Sequence, residues 1–267
     1  MKILNIIGMT ILMVVLAVNF TACGNDDDDT SSGASKRITQ IKSTYDSGSY
    51  TITMNYKDNK LSKYVWIYDD SHNDYEVNQS ITYANDKVII VGIVDGHECE
   101  QTYTLNSKGY AASCSIPDIE GRKVEITFEY TETGYLSKAI EITQWGTETS
   151  TNTYTFKYQN NNMIEARESD ISGYIYTITY GNQTNKAGIA NYAIEDILFD
   201  YQTAYYAGLL GKPCASLPES YKQMESYNSH LIESGDFIYS VDNDGYVTQS
   251  TMSTSRGDHE VKTYSYE

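Results

Sequence analysis

Residues that commonly act in catalysis or bind metal ions are few and scattered in this chain of 267 residues. His97-Glu98 and His259-Glu260 each begin like the zinc-protease motif H-E-x-x-H, but both lack the second histidine. The cysteines also lack the paired spacing of a structural zinc site. The sequence therefore predicts no catalytic residue, no metal site and no cofactor.

Carboxylates are abundant, but their spacing does not define a site. Asp242-Asn243-Asp244-Gly245 resembles part of a calcium loop, yet counting Gly245 as the sixth position puts Ser240 first and Thr251 twelfth. A calcium loop needs Asp and Glu at those two positions, so a hairpin turn explains the segment better. With 36 acidic residues, neighbouring pairs occur by chance, and a hydrolase is the least favoured functional hypothesis.

Two cysteines flank one predicted turn. Cys99 and Cys114 lie on either side of residues 106–109 and are expected to face each other within about one residue. An oxidising compartment permits a disulfide there, but the required geometry is narrow. Two alternatives stay open, a cross-strand disulfide and two reduced, buried thiols.

Aromatic side chains are the strongest indication of binding. Trp66 lies between Tyr64 and Tyr68 on one predicted strand, and Trp145 ends another. Exposed Trp and Tyr rings form platforms for sugar rings or peptides, whereas buried rings simply pack. These four residues are the candidate ligand-binding set, with core packing as the alternative for each tryptophan.

The overall charge excludes some partners. At pH 7 the formal net charge is −17, and the few arginines form no stripe. Nucleic acid and anionic membrane surfaces would repel such a chain. We therefore expect no nucleic-acid partner.

The elements that position these residues are β-hairpins. In VEITFEYTETGYLSKAIEI, residues 124–142, apolar and polar side chains alternate before a glycine-containing turn, as in a two-faced strand pair. Similar units recur along the chain. They predict an antiparallel meander, either closed into a barrel or folded into a sandwich, with turns at residues 57–60, 84–87, 106–109, 131–134, 159–162, 181–186 and 242–245.

One segment departs from this pattern. Within residues 188–235, apolar residues from Ala193 to Leu209 follow helical spacing, with Asn191 as the predicted N-cap and Gly208 near the end. The amphipathic helix and its following loop, near residues 190–220, must bury an apolar face against the sheet. The insertion either caps one end of the barrel or enters its lumen.

The N-terminal residues predict export. Residues 1–22 read as a signal peptide, with Lys2 ahead of an apolar run and Ala22 before Cys23. This junction resembles the lipobox of bacterial lipoproteins, in which the cysteine is lipidated. Residues 23–36 are then an acidic, flexible tether, and residues 37–267 a single barrel domain. The acidic run resembles the signal that carries Bacteroidota lipoproteins to the exterior of the outer membrane.

The hairpins also resemble a family. TYTFKYQNNNMI, VEITFEYTETGYL, GLLGKPCASLP and YSVDNDGYV are similar to Bacteroidota lipoproteins classed as a domain of unknown function with a porin-like fold. YD-repeat proteins of the Rhs type share similar hairpins. The resemblance implies a closed or nearly closed β-barrel with a helical insertion, and it supplies no catalytic residues.

Two functional hypotheses lead. The first is a non-enzymatic, lipid-anchored outer-membrane protein that faces the cell exterior and binds a glycan or peptide. The alternative is a structural or accessory subunit of an outer-membrane complex. Because Thr and Ser interrupt the apolar faces and a lipid anchor would be redundant in the bilayer, we expect a barrel that does not itself span the membrane.

Overall fold

Alternating hairpins build the wall of a closed barrel. The computed structural model describes residues 35–70, 74–94, 96–119, 121–169 and 173–267, and in these ranges sixteen antiparallel strands pair in chain order. The strands are β1 (Ile38–Tyr45), β2 (Gly48–Lys57), β3 (Lys60–Asp70), β4 (Asp74–Tyr83), β5 (Lys87–Val94), β6 (His97–Leu105), β7 (Ala111–Ile119), β8 (Arg122–Tyr130), β9 (Leu136–Trp145), β10 (Glu148–Gln159), β11 (Asn162–Glu168), β12 (Tyr174–Thr184), β13 (Ser216–Glu225), β14 (Leu231–Val241), β15 (Val247–Thr254) and β16 (His259–Tyr266).

The first and last strands close the sheet. Ile41 on β1 faces Ile52 on β2 and Tyr264 on β16, so β1 has a partner on both sides. Closure removes the unpaired strand edges that would otherwise invite association with other chains. The predicted meander closed into a barrel is confirmed.

Local sequence explains the tight turns. Asp58 and Asn59 both have positive φ angles, as do Asn160 and Asn161. Two consecutive residues of this kind form the type I′ turn that matches the twist of two-residue hairpins, and Asn and Asp tolerate it better than bulkier residues.

The wall is apolar inside and polar outside. On β8, Val124, Ile126 and Phe128 are buried, whereas the alternating Glu125 and Glu129 are exposed. Outward positions elsewhere are also mostly Thr, Ser, Lys or Glu. A membrane-spanning barrel has the opposite arrangement, with an apolar band facing lipid and a polar lumen.

The segment between β12 and β13 enters the lumen. We call residues 185–215 the plug; it contains α1 (Tyr192–Ile197), a short 3-10 turn (Phe199–Tyr201) and α2 (Gln202–Tyr206). Asn191 caps α1 as predicted, because its Oδ1 accepts a hydrogen bond from the backbone nitrogen of Ile194 at 3.1 Å. Of the two predicted placements, the lumen is the one observed.

Three details of the predicted insertion were wrong. The expected single helix is broken near Leu198, where the backbone leaves helical geometry and the plug turns across the lumen. Residues 181–186 form no hairpin turn, because β12 continues to Thr184 and pairs with β13 only after the plug. The insertion also ends before residue 235, since β13 and most of β14 occupy its second half. The start of β13 was missed because Pro218 is typical of a loop. In the structure, a register shift between β12 and β13 accommodates Pro218 in the sheet.

Hydrogen bonds hold the plug to distant parts of the wall. Thr203 donates to Gln79 on β4 at 2.6 Å, and Tyr201 donates to Glu141 on β9 at 2.8 Å. On the opposite side, the Nζ atom of Lys262 on β16 lies 2.7 Å from Oε2 of Glu195 on α1. These anchors connect α1 and α2 to the barrel wall on both sides of the lumen.

The barrel has two distinct ends. Backbone hydrogen bonds join Arg37 to Glu267, so the start of β1 and the end of β16 meet at one end, together with the base of the plug. Nearby, the Nζ atom of Lys36 contacts Asp242 at 2.9 Å and Asp244 at 2.6 Å. We call this the terminal end and the opposite one the mouth end.

Candidate functional site

A cavity of about 360 Å³ opens at the mouth end. Its floor is the tip of the plug, residues 199–203, and its wall is formed by inward-facing residues near the mouth ends of β3 to β9. The cavity is lined by Tyr64, Trp66, Tyr75, Val77, Gln79, Val94, His97, Glu98, Cys99, Gln101, Ile116, Arg122, Val124, Trp145, Phe199, Asp200, Tyr201, Gln202 and Thr203.

Trp66 is the centre of an aromatic cluster in this cavity. Its ring lies edge-on to Tyr75 and Phe199, with centroid separations of 5.3 Å and 5.0 Å. Tyr50 packs against it from the other side at 5.9 Å. Edge-to-face contacts of this kind fix ring orientation. The cluster therefore presents a pre-formed apolar surface that joins the wall to the plug.

The indole N–H of Trp66 also bears on whether the cavity binds a ligand. This buried nitrogen has no hydrogen-bond acceptor among the residues that the structure describes. A buried donor without an acceptor costs free energy unless water or a ligand supplies one. The donor is therefore consistent with a cavity whose occupant completes the site.

The amide side chains of the cavity are already in use. Gln101 accepts a hydrogen bond from Tyr103 at 2.8 Å and donates to the backbone oxygen of Asp200 at 3.1 Å. Gln202 accepts from Tyr64 at 3.1 Å. These amides, like Gln79, fix the plug against the wall, so they stabilise the floor of the cavity.

Charged groups lie around the apolar interior. Arg122, Asp200 and His97 are exposed and line the cavity, whereas Glu98 at the rim pairs with Ile93 and lies on the outer face of the wall. Cys99 is half-buried among them, and burial, followed by the charge of Asp200, raises the pKa of its thiol. A raised pKa keeps the thiol protonated and poorly nucleophilic, so the arrangement favours binding over thiol chemistry.

The structure brings together three of the four predicted binding residues. Tyr64, Trp66 and Trp145 all line the cavity, with Tyr64 fully buried in its wall and Trp145 62% exposed at its rim. Tyr68 is not among the lining residues and instead packs on Tyr45 at 6.1 Å. Sequence reasoning missed Phe199, because nothing in the helical pattern indicated which residue would form the tip of the plug.

The predicted register of Cys99 and Cys114 was wrong. Cys114 faces Tyr103, four residues along β6 from Cys99, and both cysteines are free. The hairpin closes at Leu105 and Ala111 rather than symmetrically about residues 106–109, and a register shift beside Leu105 moves the strands further. Of the two alternatives, the structure has the reduced thiols, with Cys114 buried as expected but Cys99 only half-buried.

We expect three titratable thiols per mature chain under denaturing, non-reducing conditions. Cys99, Cys114 and Cys214 are all free, and lipidation would remove Cys23 from the count. Reaction of the denatured protein with a chromogenic disulfide reagent measures this number, with a reduced sample as the control. A single reactive thiol would show that two of the three are joined.

Two further features bear on the site. No group of three or more His, Cys, Asp or Glu in the described ranges could hold a metal ion. In those same ranges no helix is long and apolar enough to cross a bilayer. Cys23, the predicted signal peptide and most of the tether lie outside the described residues.

The fold and the cavity together define a porin-like barrel whose lumen is occupied by its own plug. The chain belongs to the family described as a domain of unknown function (DUF4595) with porin-like fold, whose model matches residues 62–250. No curated protein matches the chain.

Solved structures share this fold. A porin-like protein from Bacteroides uniformis superimposes with a TM-score of 0.68 at 21% identity, covering 86% of this chain and 98% of the other. A porin-like protein from Bacteroides vulgatus gives 0.59 at 12% identity, covering 87% and 99%. A porin-like barrel is consistent with an outer-membrane location.

Proposed function

We propose that this protein is a lipid-anchored binding protein on the exterior of the outer membrane, and that the mouth cavity holds an extracellular ligand without chemical conversion. The observation that carries the proposal is the aromatic cavity itself. Its volume of about 360 Å³ falls within the range of small-molecule sites, and aromatic residues with a few polar groups are the usual lining of such sites.

The position of the cavity supports display toward the surroundings. Lys36 holds the end of the tether at the terminal end of the barrel, whereas the cavity opens at the mouth end. A flexible tether covering residues 23–36 spans on the order of 20 Å. A barrel hung from Cys23 would therefore present its cavity away from the membrane, and its polar outer wall suits contact with water.

Thermal stabilisation by a ligand tests the proposal. A panel of oligosaccharides, short peptides and small amphipathic molecules is screened against the soluble domain, residues 35–267. A ligand at 100 times its Kd should raise Tm by about 5 °C or more. Phe199→Ala should weaken that response, because Phe199 is 44% exposed at the plug tip and contacts Trp66.

The matched control is Ile238→Ala. Ile238 is 72% exposed on β14 and does not line the cavity, so its removal should leave ligand stabilisation unchanged. If no member of the panel raises Tm, or if Phe199→Ala and Ile238→Ala behave alike, the mouth cavity is not the binding site.

The lipid anchor gives a separate prediction. We expect Cys23→Ser to move the protein from the membrane fraction to the soluble fraction. The acyl chains on a lipidated cysteine hold a protein stably in the membrane, whereas a polar tether alone does not. Immunoblotting of fractionated cells measures the distribution, with a Cys214→Ser variant as the control. Unchanged membrane association of Cys23→Ser contradicts lipidation at this residue.

Exposed apolar residues on the outer wall favour the second candidate, an accessory subunit of an outer-membrane complex. Ile67 on β3 and Val91 and Ile93 on β5 are exposed on the outer wall, where most neighbours are polar. Cross-linking on intact cells would test docking through these residues. Recovery of the monomer alone from both the wild type and an Ile67→Ser, Ile93→Ser variant would argue against this role.

A further inference from the structure

We infer that the mouth cavity is selective for a compact, uncharged apolar molecule whose buried polar group is a hydrogen-bond acceptor, such as the carbonyl oxygen of a cyclic ketone or lactone. This inference rests on the proposed binding function and names the class of ligand for that same cavity. Its basis is an imbalance in the cavity interior, where two buried side chains keep hydrogen-bond donors without partners.

Trp66 on β3 supplies the first donor. Its indole nitrogen is buried and has no acceptor among the described residues. Of the three rings packed on Trp66, Phe199 at the plug tip is the exposed one, so we expect this ring to turn aside when an acceptor binds. A buried N–H without an acceptor carries a desolvation cost, which an acceptor on the ligand would remove.

Gln79 on β4 supplies the second donor. The residue is 4% exposed, and its side chain lines the cavity. Its carbonyl oxygen accepts a hydrogen bond from Thr203, whereas its amide nitrogen has no partner in the part of the chain that the structure describes. This nitrogen is not fully enclosed, so it is open to the cavity and within reach of a ligand.

The register of the sheet places the two donors side by side. Val77 on β4 pairs with Trp66 on β3, and Gln79 is the next inward-facing residue along β4. Diagonal neighbours of this kind lie roughly 7–8 Å apart on one face of an antiparallel pair, within reach of long side chains. A carbonyl oxygen has two lone pairs, so one carbonyl group between these side chains can accept from both.

The amide oxygens that line the interior are already occupied. Those of Gln101 and Gln202 accept hydrogen bonds from tyrosine hydroxyl groups, and that of Gln79 accepts from the plug. A buried hydroxyl or ammonium group on a ligand needs an acceptor and would compete with these contacts. Sugars and amines are therefore disfavoured, whereas a carbonyl compound leaves intact the contacts that hold the plug.

The rest of the lining favours an uncharged, apolar body. Aliphatic side chains from four strands line the cavity beside the cluster around Trp66, namely Val77, Val94, Ile116 and Val124. Arg122 on β8 and Asp200 at the plug tip have opposite charges, so the lining favours neither a cationic nor an anionic head group. Burying an ion in such an interior costs far more than burying a carbonyl group. The volume of about 360 Å³ limits the body to a compact one.

Probes that share one fused-ring body test the inference. 1-Tetralone carries a carbonyl group, tetralin carries no polar group, and 1-aminotetralin carries an ammonium group at neutral pH. Isothermal titration calorimetry measures Kd for each on residues 35–267, which contain every strand of the closed barrel. We expect 1-tetralone to bind about threefold or more tightly than tetralin, because two donor contacts outweigh the desolvation of its carbonyl group. We expect no binding of 1-aminotetralin.

NMR spectroscopy reports on the Trp66 contact directly. The chain has 2 tryptophans, so a sample with 15N-labelled tryptophan gives one indole N–H signal for each, and Trp66→Phe identifies the signal of Trp66. A hydrogen bond to a carbonyl oxygen moves the indole proton downfield. We expect this shift with saturating 1-tetralone and not with tetralin, whose identical aromatic ring controls for ring-current effects.

Variants test each donor through the ratio of the Kd of tetralin to the Kd of 1-tetralone, because a general loss of apolar contact weakens both probes. Trp66→Phe and Gln79→Leu each remove one donor, and each should lower this ratio by about twofold or more. Gln144→Leu makes the same substitution on the exposed outer face of β9 and should leave the ratio unchanged.

Each result decides a different claim. Binding of tetralin or 1-aminotetralin as tight as that of 1-tetralone, or tighter, overturns the ligand class and leaves the binding function standing. A ratio that is unchanged in both donor variants, or a Trp66 indole proton that does not move at saturation, also overturns the inference. Absence of binding by all three probes overturns the inference, whereas the proposed function fails only if the wider thermal panel is also silent.

Discussion

We expect Lys262→Met to lower the free energy of unfolding by about 3–5 kcal/mol, because it leaves a buried carboxylate on the plug without its counter-charge. Nζ of Lys262 lies 2.7 Å from Glu195 and 3.5 Å from Glu260, and the Lys262 side chain is only 11% exposed. Burial by itself would lower the pKa of Lys262, but the charge of Glu195 and neighbouring groups holds it well above its ordinary value. The lysine therefore stays charged and ties the wall to the plug.

Thermal and denaturant unfolding measure this effect. A loss of this size should lower Tm by roughly 10 °C for a domain of this length. Lys138→Met is the matched control, because Lys138 and Glu129 form an ion pair on the exposed outer wall, where one pair contributes about 1 kcal/mol or less. Adding Glu195→Gln to Lys262→Met should restore part of the lost stability, since it removes the uncompensated charge. Equal losses in the Lys138 and Lys262 variants would contradict a plug held by this ion pair.

The second large effect is unfolding at alkaline pH. Tyr64, Tyr103, Tyr176 and Tyr221 are almost completely buried, and burial above all raises the pKa of each phenol. A folded-state pKa above the unfolded value contributes stability that is complete below the unfolded pKa of about 10 and is lost as pH rises through the folded value. Four such groups should reduce stability by about 5 kcal/mol for each pH unit above 10.

Phenolate absorbance and circular dichroism, recorded together, measure this transition. We expect a large part of the phenolate signal to appear in one cooperative step that coincides with the loss of sheet signal above pH 10. Tyr103→Phe should make the dependence of stability on pH shallower, because it removes one of the four groups. A gradual titration of every tyrosine with the sheet signal unchanged would contradict the buried placement.

Local alternation made the barrel wall predictable from the sequence. In β8, every second residue from Val124 to Phe128 is apolar, and such a pattern specifies a two-faced strand wherever it is placed. The turn residues showed where one strand ends and the next begins. Asp58-Asn59 and Asn160-Asn161, for example, adopt a positive-φ backbone that few other residues tolerate. Asn191 likewise predicted the start of α1, where it is the N-cap.

The contents of the lumen could not be predicted in the same way. The excess of tyrosine over phenylalanine, 26 to 5, suggested aromatic rings whose hydroxyl groups contact solvent. In the structure, many of these hydroxyl groups form hydrogen bonds inside the protein. Tyr130 donates to the backbone oxygen of Ala111 at 2.8 Å, and Tyr56 donates to that of Ile38 at 3.0 Å. Tyrosine thus allows a barrel interior to be apolar and still satisfy polar groups.

The candidate site could be predicted only in part, because its residues come from distant parts of the chain. Trp66 and Trp145 were identifiable as unusual residue types, but they lie far apart in the chain, and only barrel closure and strand register bring them together. Phe199 and Asp200 reach the cavity because the plug breaks near Leu198 and crosses the lumen. Long-range contacts of this kind leave no local pattern.

The most direct test of the binding account is a crystal structure of residues 35–267 with the member of the thermal panel that raises Tm most. We predict electron density for this ligand inside the mouth cavity, in contact with Trp66 and Phe199. Density for the ligand only on the outer wall or at the terminal end, with the cavity unoccupied at saturating ligand, would contradict the account.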